Sequence, residues 1–477
     1  MGAILTAEPT RRAVVAALAG AAAVGPVPAW AADPLTPEMF GARGDGRTND
    51  TRAFRELSRA MAERGGGTVV LRSTTYLVGE QRPALGPDEN FGFVPSPILS
   101  FLDLPGPVTV EGNGATLRCA PGLRYGSFDP HTGEPHRHAM PFSDPTTKAS
   151  PYVAMIRIER CGGAVLVADV ELDGSLPVLR LGTHFGDSGI QIEGSGLFLR
   201  NNRGDEIIRN VHSHHHGQDG MMMDSLTDVG LAARVTRLAE NVRCEDNARQ
   251  GCSLIGGRNW RFVRCAFNRT GRAGLASAPA AGFDIEAEGS KLNRGHSFTD
   301  CQFVDNEGCG LVADSGDSAD ISFTRCRFVG TTNWSLWPNK PGMRFVDCVV
   351  VGSAVHPYED ADPRRANQYR RCLFTDDPKL SPTRKVWREG RADGSLFDMN
   401  DGTNVLFENC RMLAVGGAVL PWSTRAIYRN CIMRQGTKSL GYPRGIYQGR
   451  TSIIGRVTLD NSKFQGSLTL NGAPHGQ

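Results

Sequence analysis

Beyond its N-terminus the sequence has no run of about 18 or more apolar residues, which excludes a membrane-spanning helix from the body of the chain. It has almost no excess charge. The 53 Lys and Arg nearly balance 50 Asp and Glu, for a formal net charge of +3, so the footprint of a nucleic-acid binder is missing. The L-x-x-L-x-L-x-x-N pattern of leucine-rich repeats is absent as well. What is abundant is glycine, 57 residues, which suits a chain of many tight turns.

The N-terminus departs from the rest. An Arg pair, Arg11-Arg12, precedes a small-residue apolar run that ends in Ala29-Trp30-Ala31, an A-x-A cleavage site. Residues 1–31 therefore read as an export signal, and the Arg pair after Thr10 resembles a twin-arginine leader. The expected location is periplasmic or extracellular, with 32–477 as one mature domain.

Twelve cysteines in an exported chain raise the prospect of disulfides. Their placement argues for a core instead. Cys265, Cys301, Cys326, Cys348, Cys372, Cys410 and Cys431 follow similar lead-ins such as FTDC, FTRC and FVDC, where a small apolar side chain would sit. Cys244 is out of phase by two places. Free Cys packs as such a residue, so a buried, reduced column is expected.

That column is also an internal repeat. Cys301 to Cys326 is 25 residues, Cys326 to Cys348 is 22, Cys348 to Cys372 is 24 and Cys410 to Cys431 is 21. Short β-rich runs with this period suit one coil of a parallel β-helix, each coil stacking on the next at about 4.8 Å. The N-terminal part, about 35–67, reads as a cap. A helix opens at Asn49, Asp50 or Thr51, buries Phe54, Leu57, Ala60 and Met61, and stops at Gly65-Gly66-Gly67. Rungs follow from about 68 to 470, with a polar, Pro-rich insertion at 123–152 expected to wall a binding site.

Phe40-Gly41-Ala42, Gly44-Asp45-Gly46, Asn49-Asp50-Thr51 and Gly66-Gly67-Thr68-Val69-Val70 carry a resemblance to the pectate-lyase-like superfamily, which includes rhamnogalacturonase- and epimerase-like proteins. The family usually has Asp-Asp-Thr where this chain has Asn49-Asp50-Thr51. The resemblance implies an all-β, right-handed, single-stranded parallel β-helix that acts on polysaccharide, and it leaves the reaction open. Polygalacturonase-like hydrolases of the superfamily carry Asn-Thr-Asp, Asp-Asp and Gly-His-Gly on successive rungs. Asp219 matches the first Asp, but Arg249-Gln250 and Ala280-Ala281 stand at the next rungs, so that catalytic set is broken.

The candidate site comes from stacking the rungs. Aligned on Gly220, Gly251, Gly282, Gly310 and Ser335, the inward positions Met221, Cys252, Phe283, Leu311 and Leu336 are all apolar or small. The outward positions then put Asp224, Glu286 and Asp314 in one column, with Asp284 two residues before Glu286. Like charges at this spacing repel. One carboxyl can keep its proton and act as an acid beside a base, or Ca²⁺ can bind Asp224, Asp284 and Glu286. The predicted catalytic set is Glu286, Asp284, Asp314, Asp224, Asp219 and His216. Arg249, His214, His215 and Trp337 are the predicted substrate contacts. The spacing of His212, His214, His215 and His216 does not match a closed zinc site, so these residues are expected to line the groove. Hydrolysis is favoured because carboxylates dominate the face and the aligned outward positions hold no Lys; it requires no cofactor. Ca²⁺-dependent elimination on a uronate polymer and non-catalytic sugar binding are the competing readings. The expected partner is a polysaccharide.

Overall fold

A computed structural model describes residues 33–84, 86, 90–136, 145–183, 192–388, 394–459 and 463–475. The proposed leader at 1–31 lies outside them. The chain winds as a parallel β-helix, the expected fold, with three short strands per coil. One coil comprises Arg261–Val263, Ala266–Asn268 and Ala281–Ile285; the next comprises Ser297–Thr299, Gln302–Asn306 and Leu311–Ala313. Each strand pairs in parallel with its counterpart one coil away.

The register makes ladders of identical roles. Phe262, Phe298, Phe323, Phe345, Tyr369, Phe407, Tyr428 and Tyr447 pair successively down the helix. Neighbouring rings stack with centroids from 4.5 Å to 5.6 Å apart, a spacing the strand separation itself imposes. Cys265, Cys301, Cys326, Cys348, Cys372, Cys410 and Cys431 form a parallel column. Each follows a corner residue of left-handed conformation, such as Asp300, Arg325 or Asp347, and its thiol points to a carbonyl of the preceding coil: Cys301 to Phe262, Cys326 to Phe298, Cys348 to Phe323. All twelve cysteines are buried and free. Cys244 is out of phase because it pairs with Phe267 and takes a phenylalanine's slot.

The helix Thr51–Arg64 covers the N-terminal end, burying Phe54, Leu57 and Met61 completely. Asp50 is its N-cap by position, yet its carboxylate does not cap it. Its oxygens instead accept from the backbone N–H of Arg43 and Gly44, tying the Gly-rich turn down, and Asn49 accepts from the N–H of Thr51. The insertion carries strands of its own. Its strands Arg124–Ser127 and Lys148–Ala149 join Gln81–Pro83, Phe93–Pro95 and Arg180–Leu181 in a small side sheet; residues 137–144 lie outside the description. No helix among the described residues is long and apolar enough to cross a membrane.

Candidate active site

The strand Ala281–Ile285 pairs with Gln250–Arg258 on one side and Leu311–Ala313 on the other. The register is the one expected from sequence: Met222, Ser253, Asp284, Val312 and Trp337 stand side by side. Inward residues Cys252, Leu254, Phe283, Ile285 and Leu311 are fully buried. That packing forces Asp284 and Glu286 to the outer face.

There they line a cavity of about 680 Å³ together with Arg249, Glu288, Asp314, Ser315, Trp334 and Trp337. The three central carboxylates differ in environment. Asp284 is only 7% exposed; burial, then repulsion from Glu286, pushes its pKa up to about 8, so it carries a proton at neutral pH. Gln250 Nε2 donates to its Oδ2 at 2.7 Å, while Oδ1 has no hydrogen-bond partner among the described residues. Glu286 is half-buried and accepts from Ser315 Oγ at 2.6 Å. Asp314 is exposed. Burial and the neighbouring Glu286 raise Glu288 as well. A neutral acid thus sits beside open carboxylates, the separation that divides acid from base in glycosidase sites. Trp334 and Trp337 rest on the apolar patch of Ala281, Cys309 and Val312 at the cavity wall.

Several expected members are elsewhere or already engaged. Asp224 does not share the Glu286 column: a bulge pairs it with Gly256 instead of Ile255. Arg200 and Lys291 hold its two oxygens, with Arg200 at 3.2 Å. Of the Ca²⁺ set of Asp224, Asp284 and Glu286, Asp224 thus stands out of register and is held by two cations, while Asp284 and Glu286 share the cavity. Lys is not absent from the region either. Besides Lys291, Lys340 lies close enough to Asp314, Asp317 and Glu286 to feel their charge, while burial lowers its pKa. Asp219 is fully buried, accepting from Ser253 Oγ at 2.8 Å and paired with Arg249 at 3.2 Å. Arg249 lines the cavity while its guanidinium is ion-paired with Asp219.

The histidines are not in the groove. His216 is fully buried against Tyr152 O–H and the carbonyl of Leu172, at 2.8 and 3.1 Å; burial, then His214, depresses its pKa well below the usual value. His214 and His215 contact each other, and His214 meets Glu171 on a different sheet. No residue of 123–152 lines the cavity among the described residues. The sequence reading missed Glu288, Gln250 and Ser315 as members of the site. Glu288 was visible as the third acid of the alternating strand; Gln250 and Ser315 carry no charge to signal them.

No family model matches the chain. A 44-residue stretch is 58% identical to depolymerase 1, capsule KN3-specific, of Klebsiella phage KN3-1; it covers 9% of this chain and spans only 6% of that protein. Among solved structures, the chain is similar to the mannuronan C-5 epimerase AlgE4 A-module of Azotobacter vinelandii, at 15% identity over 91% of this chain and 96% of that one, with a TM-score of 0.43. The N-terminal fragment of bacteriophage phi29 gene product 12 matches at 14% identity over 92% of this chain and 73% of that one, TM-score 0.47. An exopolygalacturonase from Thermotoga maritima matches at 14% over 93% of each, TM-score 0.31. At these identities the likeness carries nothing about chemistry.

Proposed function

We propose that this protein hydrolyses glycosidic bonds of a polysaccharide in the acidic cavity, with Asp284 as proton donor. The observation that carries the reading is the neutral, buried Asp284 flanked by the more open Glu286 and Asp314. Glycoside hydrolysis needs a carboxylic acid and a carboxylate on either side of the bond. In this scheme Gln250 anchors one oxygen of Asp284 and leaves the other to protonate the glycosidic oxygen. The bond to the anomeric carbon then breaks. Glu286 or Asp314 takes the proton of the attacking water, or attacks first and is released by water. Trp337 offers a sugar ring an apolar wall.

The charge of the cavity bears on the polymer. Glu286, Glu288 and Asp314 line it, and the cation within it, Arg249, is neutralised by Asp219. A polyuronate would be repelled, which favours a neutral polysaccharide and hydrolysis over elimination. The 44-residue likeness to a phage capsule depolymerase supports a polysaccharide substrate. The leader read at 1–31 supports action outside the cytoplasm. Elimination keeps one specific observation in its favour, the half-buried Lys340 with its lowered pKa, since a lysine of that kind can take a proton beside a uronate carboxylate.

The test is a panel of neutral and uronate polysaccharides, capsular ones included, followed by new reducing ends and by the ultraviolet absorbance of an unsaturated uronate. Reducing ends without that absorbance support hydrolysis, and the absorbance supports elimination. Polymer binding with no cleavage of any member would leave a sugar-binding β-helix.

A further inference from the structure

We propose that Glu171, His212 and His214 form a binding site for a first-row divalent transition ion, Zn²⁺ being the representative, on a face of the β-helix separate from the acidic cavity. The strands Val165–Asp173 and Glu206–His214 pair in parallel, with Glu171 opposite His212 and Asp173 opposite His214. Leu172 and Ser213, between them, are buried inward. Alternation therefore puts all four chemistry-bearing side chains on the outer face, in two rows about 4.8 Å apart across the strands.

The ligand atoms of Glu171, His212 and His214 all lie within 4.8 Å of one another. His214 Nε2 is 2.9 Å from a Glu171 oxygen, and the rings of His212 and His214 are 4.3 Å apart. Zinc bonds to imidazole nitrogen and carboxylate oxygen are about 2.0–2.2 Å. Glu171 and His212 are half-exposed, so the small closure onto an ion falls to side-chain torsions and not to the backbone. Two imidazoles and one carboxylate suit zinc or its neighbours, whereas calcium takes oxygen ligands throughout.

The surroundings look like support for ligands. Thr116 Oγ1 donates to the second oxygen of Glu171 at 2.8 Å, which fixes the carboxylate as outer partners of metal ligands do. His212 Nε2 is shielded from water and makes no hydrogen bond among the described residues, its contact with Glu245 being 3.5 Å long. A cavity of about 500 Å³, lined by Glu171, His212, Asn113, Asp169 and Asn210, opens alongside. Three protein ligands leave a fourth position, and this cavity is where a water or substrate group would reach it. Asp173, His214 and His215 form a rival triad. Asp173 accepts from the N–H of Ser175 at 2.9 Å, is paired with the cation of Arg118 at 3.1 Å, and does not line that cavity, so the first triad is the one assigned.

The experiment is calorimetric titration of Zn²⁺ into the tag-free protein, with Co²⁺ absorption spectroscopy as a second readout. One ion per chain with Kd of roughly 10 µM or tighter is expected, along with the visible bands of low-coordinate Co²⁺. Glu171→Gln and His212→Asn, at half-exposed positions that leave the fold intact, should each weaken binding by about tenfold or more. Asp173→Asn, which removes the carboxylate of the rival triad and keeps the acceptor for Ser175, should leave it unchanged. No saturable binding, or loss in Asp173→Asn with none in Glu171→Gln, overturns the assignment.

Discussion

Replacing Asp284 with Asn removes one ionisation and little else. Asn keeps the shape and stays neutral, as the buried Asp284 does below its raised pKa. The consequence for stability has a definite sign. In the unfolded chain this carboxyl titrates near 3.8 and in the folded chain near 8. Between those values the folded state holds a proton that the unfolded state has lost, so wild-type stability falls as pH rises. Below about pH 4 both forms are protonated and the site contributes no pH-dependent loss; above about pH 8 the loss is complete. At about 1.4 kcal/mol per pH unit, the interval sets a ceiling of about 6 kcal/mol. Glu286, Asp314, Asp219 and Arg249 face the group and share in the effect, so a measured difference of about 2–5 kcal/mol is expected. For a chain of 477 residues the unfolding entropy is of order 1 kcal/mol per degree. The Tm of Asp284→Asn minus that of wild type should therefore climb by roughly 2–5 °C between pH 4 and pH 9. Activity should move the other way. The variant should lose about 10²–10⁴-fold in kcat, and the wild-type rate should fall as pH passes about 8, where Asp284 loses its proton. Two melting curves that stay parallel across this range, or a variant that cleaves as well as wild type, would refute the reasoning.

Four further outcomes are expected. Glu286→Gln should fold normally by circular dichroism and lose about 10²-fold or more of the cleavage rate. Arg249→Met leaves Asp219 buried without its cation and should cost about 3–5 kcal/mol in denaturant unfolding. Phe323→Ala opens a hole between Phe298 and Phe345 in the ring stack and should cost a similar 3–5 kcal/mol or so while the acidic cavity keeps its shape. Thiol titration should find the cysteines unreactive in the native protein and all twelve titratable after unfolding without reductant.

The sequence by itself determined the coil. A parallel stack at fixed separation demands the same side-chain type at the same corner of each turn, so the cysteines and the aromatic residues before them recur with the period of the fold. The same constraint made the register legible: Met221, Cys252, Phe283, Leu311 and Leu336 must all face inward, and they pair as that requires. From the register came the acidic row of Asp284, Glu286 and Asp314. Tertiary structure decided which charges were still available. Lys291 reaches Asp224 from 67 residues away, Arg249 turns back onto Asp219, and the bulge opposite Met223 shifts Asp224 out of its column; none of these leaves a periodic trace. It also decided the face. His214 ends one strand and Asp219 begins the next, but the corner between them carries the chain onto another sheet. Residues that are neighbours in sequence are therefore parted, and Glu171, one coil earlier, becomes the histidines' true neighbour. Burial completes the account: neighbouring outward positions on one strand became a neutral acid and an open carboxylate only because the wall around Asp284 shuts out water.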